Sequence, residues 1–104
     1  MNANISVSPR LGELLSQVTE APNLEAALWQ VLAEYLEIKA SGLRARIRQY
    51  ESDWGMTFAE FTDRVKADQL GRDSYAYDVE NAYWDWEEVE TLLQHYQGLR
   101  DRWT

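Results

Sequence analysis

One stretch in the last third of the chain combines many acids with large aromatic side chains. The window 73–90 reads DSYAYDVENAYWDWEEVE and contains seven Asp or Glu, five Tyr or Trp, and no Lys or Arg. The whole chain carries −8, so most of the net charge lies in this window. Disordered acidic tracts contain few aromatics, and a solvated helix face does not need tryptophan. The window is therefore expected to form a surface that binds a basic, partly apolar groove of another protein.

A helical wheel separates the two tryptophans of this window. Trp86 shares a stripe with Val89 and Leu93, whereas Trp84 lies about 160° away from Trp86. Trp84 is expected to be exposed if the helix includes this turn. The alternative is that Trp84 packs on the first helix of the chain or on a second copy in a dimer. The residues predicted to bind a partner are Tyr75, Tyr77, Tyr83, Trp84, Asp85, Glu87 and Glu88.

Groups suited to catalysis or metal binding are sparse. His95 is the only histidine, and the chain has no cysteine. Leu92 stands three residues before His95, so the Glu-x-x-His pattern of di-iron bundles is absent. A carboxylate pair among Glu87, Glu88 and Glu90 is conceivable, but neighbouring glutamates are ordinarily solvated. We predict that the chain is not an enzyme and has no metal site or cofactor.

Length and composition indicate one small globular domain. A chain of 104 residues fits a single domain. No apolar run approaches the roughly 18 residues of a membrane span, and the start MNANISVS lacks the features of a signal peptide. A pI near 4.5 argues against broad nucleic-acid binding, which depends on Lys and Arg. We expect a soluble, cytoplasmic protein with no membrane contact.

The first half of the chain predicts a short strand followed by two helices. Asn4 to Ser8 alternate polar and apolar residues, as a strand does. Ser8 and Pro9 then fit a helix start, and Pro22 ends that helix. A second helix, capped by Asn23, should extend from about residue 24 to about residue 52. Its expected buried stripe begins with Leu24, Leu28, Val31, Leu32, Tyr35 and Leu36.

The second half predicts two more helices in an antiparallel arrangement. Gly55 breaks the long helix, and Thr57 with Glu60 forms a T-x-x-E capping box. Gly71 is the expected stop of this third helix. The last helix should extend from about residue 80 to about residue 102, after an extended stretch around Tyr77. Its expected core stripe is Ala82, Trp86, Val89, Leu93, Tyr96 and Trp103.

A basic stretch precedes the acidic one. Residues 38–50 contain Lys39, Arg44, Arg46 and Arg48 and no acid. In antiparallel packing these arginines would lie near Glu80, Asp85 and Glu87 and could pair with them. The other interpretations are a solvated face or a contact to nucleic acid.

The amino-terminal segments ISVSP, LGELL and APNLEAALWQVLAEYL resemble a ribbon-helix-helix domain. In that family two chains pair their strands into a ribbon that enters the DNA major groove. The resemblance implies a homodimer, with Asn4, Ser6 and Ser8 facing DNA and Asn23 opening the second helix near a phosphate. The outward ribbon positions here lack Arg and Lys, which argues for weak or operator-specific DNA binding only.

A second resemblance covers residues 46–93. The segments IRQYESDWGMTFAEF and SYAYDVENAYWDWEEVETLL resemble small bacterial proteins, frequent in cyanobacteria, that are thought to be antitoxins of toxin–antitoxin pairs. Such antitoxins commonly join a dimerising, operator-binding module to an acidic part that binds the toxin. Many of these toxins are RNA-cutting enzymes with basic grooves.

The expected fold class is mainly α: a short, ribbon-helix-helix-like N-terminal strand is followed by a long helix and an antiparallel helical C-terminal part, and the chain is expected to form a dimer. Residues 1–36 are predicted to form the dimerisation module and residues 37–104 the partner-binding part, although one continuous domain is possible. The predicted function is an antitoxin that neutralises a basic toxin. The alternatives are a self-associating helical scaffold protein and a ribbon-helix-helix transcriptional regulator.

Overall fold

The computed structural model describes residues 6–71 and 76–103, and the regular structure in these ranges is entirely α-helical. In chain order the helices are α1 (Pro9–Val18), α2 (Leu24–Trp54), α3 (Phe58–Lys66) and α4 (Tyr77–Trp103). α2 and α4 lie side by side and antiparallel, because Glu37 pairs with Arg100 while Arg46 pairs with Asp85. The prediction of a mainly helical protein with an antiparallel carboxyl-terminal part is confirmed.

The predicted amino-terminal strand is absent from the described residues. Ser6 and Val7 have no regular structure, and Ser8 is the N-cap of α1. Its Oγ accepts a hydrogen bond from the backbone nitrogen of Leu11 at 3.2 Å. This bond satisfies an amide that lacks a partner within the helix, so Ser8 belongs to the helix start. The ribbon-helix-helix prediction is wrong, because a few alternating residues fit a coil that leads into a helix equally well.

Short polar contacts define the junction of α1 and α2. The buried Thr19 hydroxyl donates to the carbonyl oxygen of Leu15 at 2.8 Å, and Asn23 Oδ1 accepts from the nitrogen of Ala26 at 2.9 Å. The Asn23 cap confirms the predicted start of α2. α2 continues without a break across residues 36 and 37, where the two predicted parts of the chain were divided.

The turn between α2 and α3 follows its sequence signals. Gly55 has a φ of +69°, and its nitrogen donates to the carbonyl of Glu51 at 2.7 Å. Thr57 Oγ1 accepts from the nitrogen of Glu60 at 3.2 Å, as a helix cap does. α3 ends at Lys66 and not at Gly71 as predicted, because the chain turns at Asp68 with a φ of +54°. α4 in turn begins at Tyr77, earlier than predicted.

An aromatic cluster joins α2, α3 and α4 at one end of the molecule. The fully buried Trp86 stacks on Tyr50 at 5.2 Å between ring centroids and contacts Phe58 and Phe61 at 5.4 and 5.2 Å. Phe61 also meets Trp54 edge to face at 5.0 Å. Aromatic pairs of this kind contribute about 0.5–1.5 kcal/mol each beyond their buried area. The cluster fixes the first turns of α4 and therefore orients the residues on the outer side of this helix.

The molecule is elongated, and few of the described side chains are buried at the end opposite the aromatic cluster. The molecule measures 59 × 27 × 18 Å and has a radius of gyration of 20.2 Å, against about 13 Å for a compact chain of this size. α1 buries one apolar residue, Leu15, against α2. Leu32 and Tyr35, which were predicted to be buried, are about half exposed, and so is Trp103. No helix in the described ranges is long and apolar enough to cross a membrane.

Candidate protein-binding site

The outer side of α4 presents acids around an exposed tryptophan. Residues 77, 80, 84, 87 and 88 recur at helical spacing and share one face of α4. Trp84 is 65% exposed and Tyr77 is 80% exposed. Glu80, Glu87 and Glu88 surround Trp84 on this face. We call Tyr77, Glu80, Trp84, Glu87 and Glu88 the acidic-aromatic face.

Among the described residues, Tyr83 supports the Trp84 ring. Its ring meets that of Tyr83 edge to face at 5.4 Å, and Tyr83 in turn lies on Phe58 of α3 at 5.8 Å. Tyr83 is therefore half-buried and supports Trp84. The two rings border a shallow groove between α3 and α4 that is otherwise lined by Thr62, Val65, Lys66, Val79 and Glu80. An apolar side chain of a partner could enter this groove beside Trp84.

Asp85 is occupied by contacts within the chain. Arg46 Nη2 donates to both of its carboxylate oxygens, at 2.9 and 2.8 Å, and the Tyr50 hydroxyl donates to Oδ2. The prediction that the basic stretch pairs with the acidic window is confirmed for Arg46 and Asp85. Arg44 instead pairs with Glu37 at 2.6 Å, within α2. The Arg46–Asp85 pair is partly exposed, so it contributes only about 0–1 kcal/mol.

These contacts shift the acidities of both partners. Burial raises the pKa of Tyr50 to about 12, and the hydrogen bond to the Asp85 carboxylate acts in the same direction. The Tyr50 hydrogen bond lowers the pKa of Asp85, with a further contribution from Arg46. The Asp85 contribution to stability is therefore present above its usual pKa of 3.8 and is lost as the pH falls below that value. Asp85 thus links α4 to α2, while its side chain remains 40% exposed.

The remaining predicted partner-binding residues have different positions. Tyr77, Trp84, Glu87 and Glu88 lie together on the acidic-aromatic face, Tyr83 lies beneath it, and Tyr75 lies outside the described residues. Glu80 was not among the predicted residues. Its spacing of four from Trp84 was the signal that could have identified it.

The predicted DNA-contacting residues have structural roles where they are described. Ser8 and Asn23 cap α1 and α2, so their side-chain oxygens already accept helix amides. Ser6 is exposed next to α1, and Asn4 lies outside the described residues. Of the described residues, Ser6, Ser8 and Asn23 do not lie on one strand.

The described residues offer no cluster of three or more His, Asp or Glu arranged to hold a metal ion. His95 is exposed on α4, where its ring meets that of Tyr96 at 5.4 Å.

Comparison with known proteins identified no relative of this chain. No family model matches the chain, and no curated protein or solved structure is detectably similar to it.

Proposed function

We propose that this chain is a non-catalytic protein-binding protein that acts as the antitoxin of a bacterial toxin–antitoxin pair. Its acidic-aromatic face binds a basic groove on the toxin. The observation that carries the proposal is the exposed Trp84, surrounded on α4 by Glu80, Glu87 and Glu88 and supported from below by Tyr83. The sequence resemblance of residues 46–93 to antitoxins supplies the class of partner.

The chemistry of the face suits such a partner. Tryptophan and tyrosine are the residue types most often found at the energetic centre of interfaces. Acids around them increase the rate of encounter with a basic protein, and this effect weakens with salt. In an RNA-cutting toxin, the same carboxylates would occupy cationic positions that otherwise bind phosphates. Both proteins would act in the cytoplasm.

The test is co-expression of the tagged chain with the product of the neighbouring gene. We expect the two proteins to purify together, and we expect the chain to relieve growth arrest caused by the neighbour. Absence of both co-purification and growth rescue would contradict the proposal.

Charge reversal on the face tests the electrostatic part of the proposal. Glu80→Lys with Glu88→Lys should slow association at low salt by about 10-fold or more. The matched control reverses Glu13 and Glu34, which are exposed on α1 and α2 and change the net charge equally. Equal slowing by both pairs would show that net charge, and not this face, directs the encounter.

A further inference from the structure

The described residues expose an apolar surface at the end of the molecule opposite the aromatic cluster. Ten large apolar side chains are markedly exposed in the described ranges, and seven of them lie on α1 or the first half of α2. We call these seven the apolar end. They are Leu11, Leu14, Val18, Trp29, Leu32, Tyr35 and Ile38.

The course of α4 explains why this surface is uncovered. Arg100 pairs with Glu37 at 2.7 Å, and α4 ends three residues later at Trp103. The first turns of α2 therefore extend beyond α4. Trp29 and Leu32 continue the side of α2 on which Leu43 is buried, but they are 46% and 54% exposed among the described residues.

Trp29, Leu32 and Tyr35 lie on the same half of α2, and each is about half exposed. Contiguous exposed apolar side chains of this kind mark protein–protein contacts. α1 has 10 residues and, in the part of the chain that the structure describes, one buried apolar side chain. Isolated helices shorter than about 12–15 residues are marginal in water, so α1 would gain stability from further contacts.

The sequence of α2 fits a second copy of itself in one register. Glu25, Leu28, Leu32, Tyr35 and Lys39 follow one another at intervals of three, four, three and four, which is the spacing of a helix–helix seam. An antiparallel pair with its two-fold axis at Leu32 places Glu25 of one copy opposite Lys39 of the other. The same register places Trp29 opposite Tyr35.

The charges on this seam are complementary in that arrangement. Glu25 and Lys39 lie at the two ends of an otherwise apolar stretch, and Glu25 borders a shallow apolar groove with Leu28, Trp29, Val31 and Leu32. Lys39 Nζ lies 5.5 Å from the centre of the Tyr35 ring, at the other end. A parallel pair in register would instead oppose Glu25 to Glu25 and Lys39 to Lys39.

We propose that two copies of this chain associate through the apolar end, with α2 antiparallel to α2 about a two-fold axis at Leu32. The inference does not rest on the proposed function, since a single chain would still carry the acidic-aromatic face. It replaces the strand-paired dimer with a helical one.

Solution mass provides the first test. At micromolar concentration, sedimentation equilibrium should give twice the 12.2 kDa of one chain. Leu32→Glu should weaken dimerisation by about 100-fold or more, because it opposes two carboxylates in an apolar contact. Trp84→Glu is the matched control, with the same charge change at another exposed apolar residue, and it should remain dimeric. Circular dichroism should show that both variants keep their helices.

Charge exchange and cross-linking test the register. Glu25→Lys and Lys39→Glu should each weaken the dimer, and the double variant should restore it. Because the chain has no cysteine, Leu32→Cys should form a disulfide-linked dimer under mild oxidation. Ile38→Cys, at an exposed residue away from the axis, should cross-link much more slowly.

Three results would overturn the inference. They are a wild-type mass of one chain at all soluble concentrations, an undiminished dimer in Leu32→Glu, or equal cross-linking of the two cysteine variants.

Discussion

Trp84 and Trp86 are two residues apart and have opposite roles. Trp86 is fully buried against Tyr50, Phe58 and Phe61, whereas Trp84 is exposed. Within the part of the chain that the structure describes, the indole nitrogen of Trp86 has no acceptor, which costs about 1–3 kcal/mol. The packing of its ring has to offset this cost. Trp86→Ala should therefore destabilise the fold, while Trp84→Ala should leave its thermal stability nearly unchanged.

Tyr50 carries a pH-dependent contribution to stability. Its pKa is about 12 in the folded protein, above the usual 10, so folding favours the neutral phenol. The contribution is complete below pH 10 and is lost as the pH rises from 10 towards 12. Tyrosinate absorbance should show a late ionisation that Tyr50→Phe removes. Tyr77→Phe, at an exposed tyrosine, should leave the late step in place; loss of that step in Tyr77→Phe would contradict the assignment.

The helices differ in how well the sequence predicts them. Asn23 and Thr57 each cap a helix in the predicted way, because a cap depends only on residues within one turn. The strand prediction failed because a few alternating residues carry little information without a partner. The position of Tyr83 could not be predicted from its own helix, since Phe58 of α3 decides it. The outward direction of Trp84 was predictable, because it follows from the period of α4 alone.

Replacing Gly42, within α2, or Gly55, at its end, by alanine should have opposite effects on the free energy of unfolding. Gly42 is an exposed helical residue, and a Cβ added there would meet no atom within 4 Å. Gly42→Ala should therefore raise the free energy of unfolding by about 1 kcal/mol. Gly55 has a φ of +69°, so Gly55→Ala should lower it by about 1–2 kcal/mol. Chemical denaturation measures both changes, and a stabilising Gly55→Ala would contradict the helix end described here.

The molecule as a whole has two ends with different surfaces. The aromatic cluster supports the acidic-aromatic face at one end, and the apolar end lies where α2 extends beyond α4. The sequence could not distinguish the buried part of the α2 stripe from its exposed part. Periodicity identifies an apolar face but not what packs against it. The point where α4 ends explains why Leu32 and Tyr35 are half exposed among the described residues. The proposals for the two ends can therefore fail separately.

The most direct measurement of the central claim is the dissociation constant for the product of the neighbouring gene, compared between Trp84→Ala and Trp103→Ala. Both residues are tryptophans on α4 with similar exposure, at 65% and 60%, but they lie at opposite ends of the helix. We expect Trp84→Ala to lose about 2 kcal/mol of binding or more, roughly 30-fold in affinity, and Trp103→Ala to bind like the wild type. Equal affinity of Trp84→Ala and the wild type would contradict the assignment of the acidic-aromatic face as the binding site.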